Sequence, residues 1–192
     1  MSLVDDLRAY QPVNAQEEAD RAFMLERLAT DPQVYDRAAL AHVTCSAWTV
    51  DASGTQTLLC YHKIYDSWSW VGGHADGERD VLAVARRELA EETGVAHARL
   101  LVPPHAASPF ASIEALSVAG HLRRGQWVSA HTHLNVTYVL VADPSEPLRV
   151  NERENAAVRW VPLDDVLRLS SEPWMCAHVY RKLIARTRAL LG

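Results

Sequence analysis

The sequence predicts a mixed α/β domain of layered form, with a helical arm before it and a helix after it. Segments with the two-residue period of strands alternate along the chain with segments of helical period. The 192 residues, 48% of them apolar, are enough to bury a full core. We therefore divide the chain into an N-terminal helical extension at 1–40, a domain at 41–165 and a C-terminal helix at 166–192 that packs on the same domain.

The first predicted elements are a helix and a β-hairpin. Asn14 is suited to cap a run of helical period that has acidic residues in its first turn and ends near Pro32. Residues 42–51 and 55–64 are rich in β-branched and aromatic side chains, and the sequence DASG between them favours a turn. These two segments therefore predict paired antiparallel strands.

A second helix is predicted from Asp80 to Thr93. This stretch contains no Gly or Pro, Asp80 is suited to cap its start, and Gly94 is suited to a left-handed end. Strands are predicted at 98–104, 131–143 and 158–163, followed by a helical region with basic last turns.

The strand at 131–143 shows the clearest alternation in the chain. One of its faces is apolar and the other polar, so the polar face is a candidate wall of a binding site. The polar positions are His131, His133, Asn135 and Thr137.

Composition excludes several classes of function. The net charge of -5 and the scattered Lys and Arg residues argue against a nucleic-acid polymer as the ligand. No run of about 18 apolar residues indicates a membrane span, and the N-terminus lacks a basic region followed by an apolar one. The three cysteines lack metal-type spacing and lie among apolar neighbours, which is typical of buried, reduced thiols. We therefore expect a cytoplasmic protein.

Three carboxylates are concentrated on one side of the second predicted helix. Glu88 lies three and four residues before Glu91 and Glu92, so the three acidic groups repel one another unless a cation compensates. Arg87, four residues before Glu91, relieves part of this charge. The alternative interpretation is a solvated acidic helix face.

Two glycines favour the functional interpretation. Gly72 and Gly73 allow the backbone to approach a ligand closely, just before a helix N-terminus whose free amides favour phosphate. Carboxylates beside such a loop are suited to Mg²⁺ chemistry on a diphosphate, because hard cations take oxygen ligands and bridge to phosphates.

Residues 73–95 resemble the Nudix box, whose pattern is G, five residues, E, seven residues, then R-E-U-x-E-E-x-G-U with U aliphatic. Arg79 stands where the pattern has its first glutamate, and Glu78 lies one residue earlier. The sequence therefore does not determine the geometry of this loop. The matching positions are Gly73, Arg87, Glu88, Leu89, Glu91, Glu92, Gly94 and Val95. The hairpin before the box and the strands after it also follow the Nudix order, so the resemblance covers about 41–165.

The resemblance implies a Nudix-like α/β/α sandwich with a mixed β-sheet. It also implies a metal-dependent pyrophosphohydrolase that cleaves a nucleoside diphosphate derivative, or a related small-molecule diphosphate, by water attack. Mg²⁺ or Mn²⁺ would be bound by Glu88, Glu91 and Glu92, with a Gly72 or Gly73 carbonyl as a further candidate ligand. Nudix proteins are often homodimers, which is an expectation by analogy only.

The resemblance also suggests two supporting residues. Arg87 would orient a glutamate through a salt bridge. Some members of the family use an additional carboxylate as a base, and Glu154 lies in a loop where this group is often found. Glu152 is the second candidate, and a charged surface loop is the alternative for both.

Substrate recognition has two sets of candidates. Trp70, with Trp68 and Tyr65, is suited to stack on a base, although the alternation of SWSWVGG also suits a core. His131 and His133 on the polar strand face are candidates for contact with the substrate or a metal.

Two alternative functions stay open. Isopentenyl diphosphate isomerases share the fold, and His42 and His74 lie where those enzymes place metal-binding histidines. The catalytic Cys of the isomerases is replaced here by Gly72, so the protonation step lacks its acid. The second alternative is a Nudix-fold binding or regulatory protein with weak catalysis, suggested by Arg79.

Overall fold

The computed structural model describes residues 2–123 and 125–191. Its centre is an eight-stranded sheet, and two further short strands form a separate hairpin. The strands are β1 (Ala41–Val50), β2 (Gln56–His62), β3 (Ser67–Ser69), β4 (Val71–His74), β5 (Ala98–Leu101), β6 (Ser112–Val118), β7 (His121–Arg123), β8 (Gln126–Val128), β9 (His131–Ala142) and β10 (Asn155–Pro162).

The sheet is mixed, as predicted. The central order is β10-β2-β1-β9-β5, and β3, β4 and β6 pair with β2, β1 and β9 respectively. β1 and β9 are parallel over their full overlap, whereas the other pairs in the sheet are antiparallel. The predicted hairpin is confirmed by the pairing of β1 with β2.

In the described residues, six α-helices flank the sheet. A 3₁₀ turn at Leu163–Asp165 precedes the C-terminal helices, and a π-helical turn at Cys176–Tyr180 joins the last two. The helices are α1 (Leu3–Ala9), α2 (Ala15–Thr30), α3 (Val81–Thr93), α4 (Val166–Leu169), α5 (Pro173–Met175) and α6 (Arg181–Leu191). The two long predicted helices are confirmed as α2 and α3, whereas α1 was not predicted.

Alternate residues of β1 and β9 face two different cores. Val43 and Leu134 pack in one cluster with α3 and the N-terminal helices, while Trp48 and Val139 pack in the other with α6. Because each strand presents successive side chains to opposite faces, the sheet lies between these two helical layers. The predicted α/β sandwich is therefore confirmed.

A buried ion network holds the N-terminal arm to α6. Glu17 of α2 is fully buried and lies 2.6 Å from the ammonium of Lys182 and 3.4 Å from the guanidinium of Arg186. The Tyr10 hydroxyl donates to Glu17 at 2.9 Å, and Lys182 also pairs with Glu114 of β6 at 2.9 Å. Burial raises the pKa of Glu17, but the contacts with Lys182 and Arg186 outweigh it and lower the pKa.

The cysteines only partly match the expectation of buried thiols. Cys45 and Cys60 are buried, and burial raises the pKa of both. Cys176 is only partly buried, with its sulfur 3.8 Å from the carbonyl oxygen of Leu167. Across the described ranges, each helix falls short of the length and apolar character needed to cross a bilayer.

Candidate active site

Helix α3 has the ends that its sequence predicts. The Asp80 side chain accepts a hydrogen bond from the amide of Ala83 at 3.0 Å, and Gly94 ends the helix with φ 83°. The apolar face of α3 packs into the core under the sheet, which fixes the helix rotation. The residues buried on that face are Val81, Val84, Ala85 and Leu89. This rotation directs Glu88 and Glu92 toward β4 and the β10 loop.

Gly73 is in direct contact with the first of these glutamates. A Cβ atom at Gly73 would lie 2.2 Å from Cδ of Glu88, so any other residue at this position would displace the Glu88 side chain. A Cβ at Gly72 would lie 2.7 Å from Oγ of Ser46 on β1 and 2.8 Å from the Cys45 carbonyl oxygen. Close packing therefore explains why glycine occupies both positions, and contact of these glycines with substrate stays a prediction.

Glu92 is the most buried of the three helix carboxylates. Its side chain accepts a hydrogen bond from Nδ2 of Asn155 at 2.9 Å, and its residue is 5% exposed. Burial raises the pKa of Glu92 to about 8, and the charges of Glu88 and Glu154 act in the same direction. Asn155, which is fully buried at the start of β10, was missed at the sequence level because no motif marks it.

Glu88 and Glu91 differ in exposure. Glu88 has a side chain that is 16% exposed, and its carboxylate accepts from Arg87 at 3.0 Å. Burial raises the pKa of Glu88 although Arg87 opposes the shift. Glu91 has a side chain that is 60% exposed, with Nε of Arg87 4.0 Å away. Arg87 thus forms the predicted salt bridge, mainly with Glu88 rather than with Glu91.

This donor set suits a hard divalent cation. Glu88 and Glu92 are carboxylates removed from water, and burial raises the pKa of each. Of the two, only Glu88 has a salt bridge, to Arg87, among the described residues. A divalent ion bound by oxygen atoms would supply the compensating charge, so Mg²⁺ or Mn²⁺ fits the residues present.

Glu154 lies in the loop before β10, with its side chain exposed. The charge of Glu154 raises the pKa of Glu88 and of Glu92, so Glu154 lies close enough to interact with both carboxylates. Its backbone is fixed, because the Lys63 amide donates to the Glu154 carbonyl oxygen at 3.1 Å. The ammonium of Lys63 donates to the carbonyl oxygen of Glu152, so this loop is held at two points.

An arginine outside the expected domain also lies at the site. Nε of Arg37 donates to Oδ1 of Asp76 at 2.6 Å, and its terminal nitrogen donates to the second carboxylate oxygen. The hydrogen bond to Asp76 raises the pKa of Arg37, and the charges of Glu88 and Glu154 add to this effect. Sequence analysis missed this pair because 39 residues separate its members.

Arg79 and Glu78 shape the loop that leads into α3. The guanidinium of Arg79 lies 4.8 Å from the ring centroid of Tyr35, a cation–π contact with the N-terminal extension. One Glu78 carboxylate oxygen accepts from the amides of Arg79 and Asp80, at 2.7 and 2.8 Å. The residue at the unusual position therefore holds the loop to the arm, and Glu78 holds the loop backbone.

Four histidines form a cluster where β1 and β9 begin and β4 ends. Their ring centroids are 5.0 Å apart between His42 and His133, 5.0 Å between His131 and His133, and 4.9 Å between His74 and His133. Burial, followed by the neighbouring imidazoles, lowers the pKa of His133 to about 2. Burial also lowers the pKa of His42. The polar face predicted for β9 therefore contacts His42 of β1 and His74 of β4.

The polar face beyond the histidines is satisfied internally. The Asn135 side-chain oxygen accepts from Ser46 at 2.9 Å and from Thr44 at 3.2 Å. Its amide donates to Glu114 at 3.3 Å and to Thr137 at 3.1 Å. This segment of β9 contributes to the core rather than to an open site wall.

The aromatic residues before the glycines pack against other side chains. Trp70 is half-buried, with its ring edge-on to Tyr180 at a centroid distance of 5.8 Å. Arg159 lies 4.4 Å from the Trp68 ring centroid, and Tyr61 contacts the same ring edge-on. These contacts favour the core interpretation, and base stacking by Trp70 stays a prediction.

A groove of about 820 Å³ opens elsewhere, beside the C-terminal part of α3. Its lining includes Arg86, His97, Arg99 and Asp143 but none of the three helix glutamates. The candidate site is therefore defined by the carboxylates and the contacts around them, and this groove lies outside it.

Known structures share this architecture. A NUDIX-family hydrolase from Clostridium perfringens is 18% identical, with a TM-score of 0.52 and coverage of 76% of this chain and 97% of that chain. The dihydroneopterin triphosphate pyrophosphohydrolase of E. coli is 17% identical, with a TM-score of 0.54 and coverage of 80% and 99%. An Ap4A hydrolase of C. elegans is 15% identical, with a TM-score of 0.51 and coverage of 78% and 98%. At these identities the likeness shows the fold alone.

The family is shown by the sequence itself. No curated protein sequence matches the chain. The family model of the NUDIX domain matches residues 40–184, which begins at the end of the arm and extends into α6. Since this match covers most of the chain and includes the motif on α3, the protein belongs to the NUDIX family and is a hydrolase of the Nudix type.

Proposed function

We propose that this protein hydrolyses a diphosphate linkage in a nucleoside diphosphate derivative or a related small-molecule diphosphate, with Mg²⁺ or Mn²⁺ bound by Glu88, Glu91 and Glu92. The observation that carries the proposal is the pair of carboxylates, Glu88 and Glu92, withdrawn from water on a helix whose sequence matches the Nudix box. When bound, the metal neutralises the diphosphate and lowers the pKa of the attacking water.

The protein groups have separable roles in this proposal. Asn155 fixes the orientation of Glu92, and Arg87 fixes that of Glu88. Glu154 is the candidate base, because it is exposed, interacts with the charges of Glu88 and Glu92, and has a backbone held by Lys63. A base in this position accepts the proton of the attacking water.

The isomerase alternative is not favoured by the thiols of this chain. Gly72 replaces the required cysteine, and Cys45, which pairs with Gly73 across β1 and β4, is buried. Burial raises the pKa of Cys45, and burial together with Glu92 raises the pKa of Cys60 on β2, so neither thiol is suited to act as the acid. A binding protein would bind the same ligands without turnover, so the substrate panel that tests hydrolysis also tests this alternative.

Metal-dependent hydrolysis of a substrate panel tests the proposal. The panel includes nucleoside triphosphates, dinucleoside polyphosphates, nucleotide sugars and pterin triphosphates, since the similar structures include enzymes named for two of these classes. We expect turnover with Mg²⁺ or Mn²⁺, its loss in Glu88→Gln, and its retention in Glu18→Gln, a control at an exposed position of α2. Absence of metal-dependent turnover across the panel would contradict the enzyme assignment for these substrates, and retained ligand binding would favour the binding protein.

A further inference from the structure

The histidine cluster contains three ligand atoms at metal-binding separation. One ring nitrogen from each of His42, His131 and His133 lies within 4.8 Å of the other two. Among the residues that the structure describes, no other group of three His, Cys, Asp or Glu side chains meets this distance, and the α3 glutamates do not. The cluster is therefore more closely assembled than the carboxylate site.

Backbone carbonyls determine which nitrogens face inward. Nδ1 of His42 lies 2.8 Å from the carbonyl oxygen of Ala39, and Nδ1 of His131 lies 2.8 Å from that of Ser129. A carbonyl oxygen only accepts hydrogen bonds, so both Nδ1 atoms carry the proton. In each neutral ring Nε2 then holds a lone pair, as in histidines whose second nitrogen is oriented for metal binding.

Hydrogen bonds within the described structure leave the lone pair of His42 without a partner. Nε2 of His42 is buried without a hydrogen-bond partner in the described structure. Nε2 of His131 lies 3.1 Å from Nε2 of His133, so its lone pair accepts a hydrogen bond when His133 carries its proton on Nε2. Two nitrogen ligands of a tetrahedral Zn²⁺ ion, each at about 2.0–2.1 Å, are separated by roughly 3.3 Å. The observed separation is close to that value.

The register of the sheet separates this cluster from the glutamates. A side chain at Gly73 would point toward Glu88. The ring of His74, the next residue of β4, lies 4.9 Å from the ring of His133. Successive residues of a strand point to opposite faces, so the imidazoles and Glu88 lie on opposite faces of β4. The two sets of ligands do not share one ion.

We propose that His42, His131 and His133 form a binding site for a divalent transition metal ion of the Zn²⁺ type, separate from the glutamates of α3. Imidazole nitrogen suits Zn²⁺ and similar first-row ions, whereas Mg²⁺ and Ca²⁺ prefer oxygen. Three protein ligands leave a position for water or an anionic oxygen. The proposal does not depend on hydrolytic activity.

Zn²⁺ titration of the full chain by calorimetry, in excess Mg²⁺, tests the site. We expect one equivalent of Zn²⁺ to bind to the wild type, to Glu88→Gln and to His97→Ala, a control at an exposed position before β5. Loss of a residue that only supports a metal ligand weakens metal binding by about 10- to 100-fold. His131→Ala removes a ligand itself, so it should weaken Zn²⁺ binding by at least about a hundredfold. Co²⁺ should give the visible absorption of a four-coordinate ion in the wild type but not in His131→Ala.

Two further measurements separate ligand loss from loss of fold. His131→Asn keeps a polar side chain at a half-buried position, and its metal-free melting temperature is compared with that of the wild type. Reduced Zn²⁺ binding in a variant that melts like the wild type supports the site. Equal Zn²⁺ binding in the wild type, His131→Ala and His133→Ala overturns it, as does binding that disappears only in Glu88→Gln.

Discussion

Asn155 donates a hydrogen bond of 2.9 Å to Glu92, from the first residue of β10 to the last turn of α3. Both residues are buried, so this amide is a direct partner of a carboxylate withdrawn from water. The contact joins the Nudix helix to the loop that carries Glu154.

Asn155→Ala should reduce kcat by about 10- to 100-fold, the usual effect of removing a partner that orients a metal ligand. Loss of the amide also removes an interaction that lowers the pKa of Glu92, so the activity that remains should move to higher pH. The pH dependence of kcat measures this shift. An unchanged profile in a folded variant would show that Asn155 acts only in packing.

Glu92 predicts how metal stabilisation varies with pH. Its folded-state pKa of about 8 lies above the ordinary value of 4.5, so its contribution to the stability of the metal-free protein is complete below about pH 4.5 and is lost as the pH rises through 8. Metal binding needs the deprotonated carboxylate. The increase in melting temperature caused by Mn²⁺ should therefore grow between about pH 6 and pH 9, and this growth should be smaller in Glu92→Gln.

Gly73→Ala tests the close contact with Glu88. The new methyl group would lie 2.2 Å from Cδ of Glu88, and we expect a loss of about 1–3 kcal/mol in the free energy of unfolding. Glu88→Ala combined with Gly73→Ala removes the opposing carboxylate, so the double variant should regain stability without regaining activity. Denaturant unfolding of the four proteins gives the coupling energy, and strictly additive losses would contradict this contact.

Arg37→Gln should raise KM by about tenfold while kcat changes little, because a cation that binds substrate and transition state equally affects KM alone. The residue is partly exposed and near Glu88 and Glu154, where an anionic substrate needs positive charge. Stability should change by less than about 1 kcal/mol, as for other exposed ion pairs. Arg27→Gln, in a surface pair with Asp31, is the control. A fall in kcat at unchanged KM would assign Arg37 a role in the chemical step instead.

Local signals predicted the elements that carry the motif. The cap at Asp80, the left-handed Gly94 and the absence of helix breakers were sufficient for α3, because each acts within one or two turns. The strict alternation of β9 predicted its polar face for the same reason. α1 was missed because its seven residues are too few for a periodic pattern to be recognised.

Contacts between segments that are distant in the chain could not be predicted from such local signals. His42 meets His133 only because β1 and β9 are parallel and in a register that pairs these two residues. Arg37 reaches Asp76, and Asn155 reaches Glu92, across loops whose paths depend on the completed sheet. No local propensity encodes such pairings, so these partners of the site become apparent only in three dimensions.

The ion network between Glu17 and Lys182 has a consequence for synthesis of the chain. The arm leaves the ribosome before its partner in α6, so the arm has no counter-ion from α6 while the strands between them are synthesised. Contacts between such distant segments form late because loop closure opposes them. A nascent chain halted before α6 would therefore hold Glu17 and Glu114 without the Lys182 ammonium that they share.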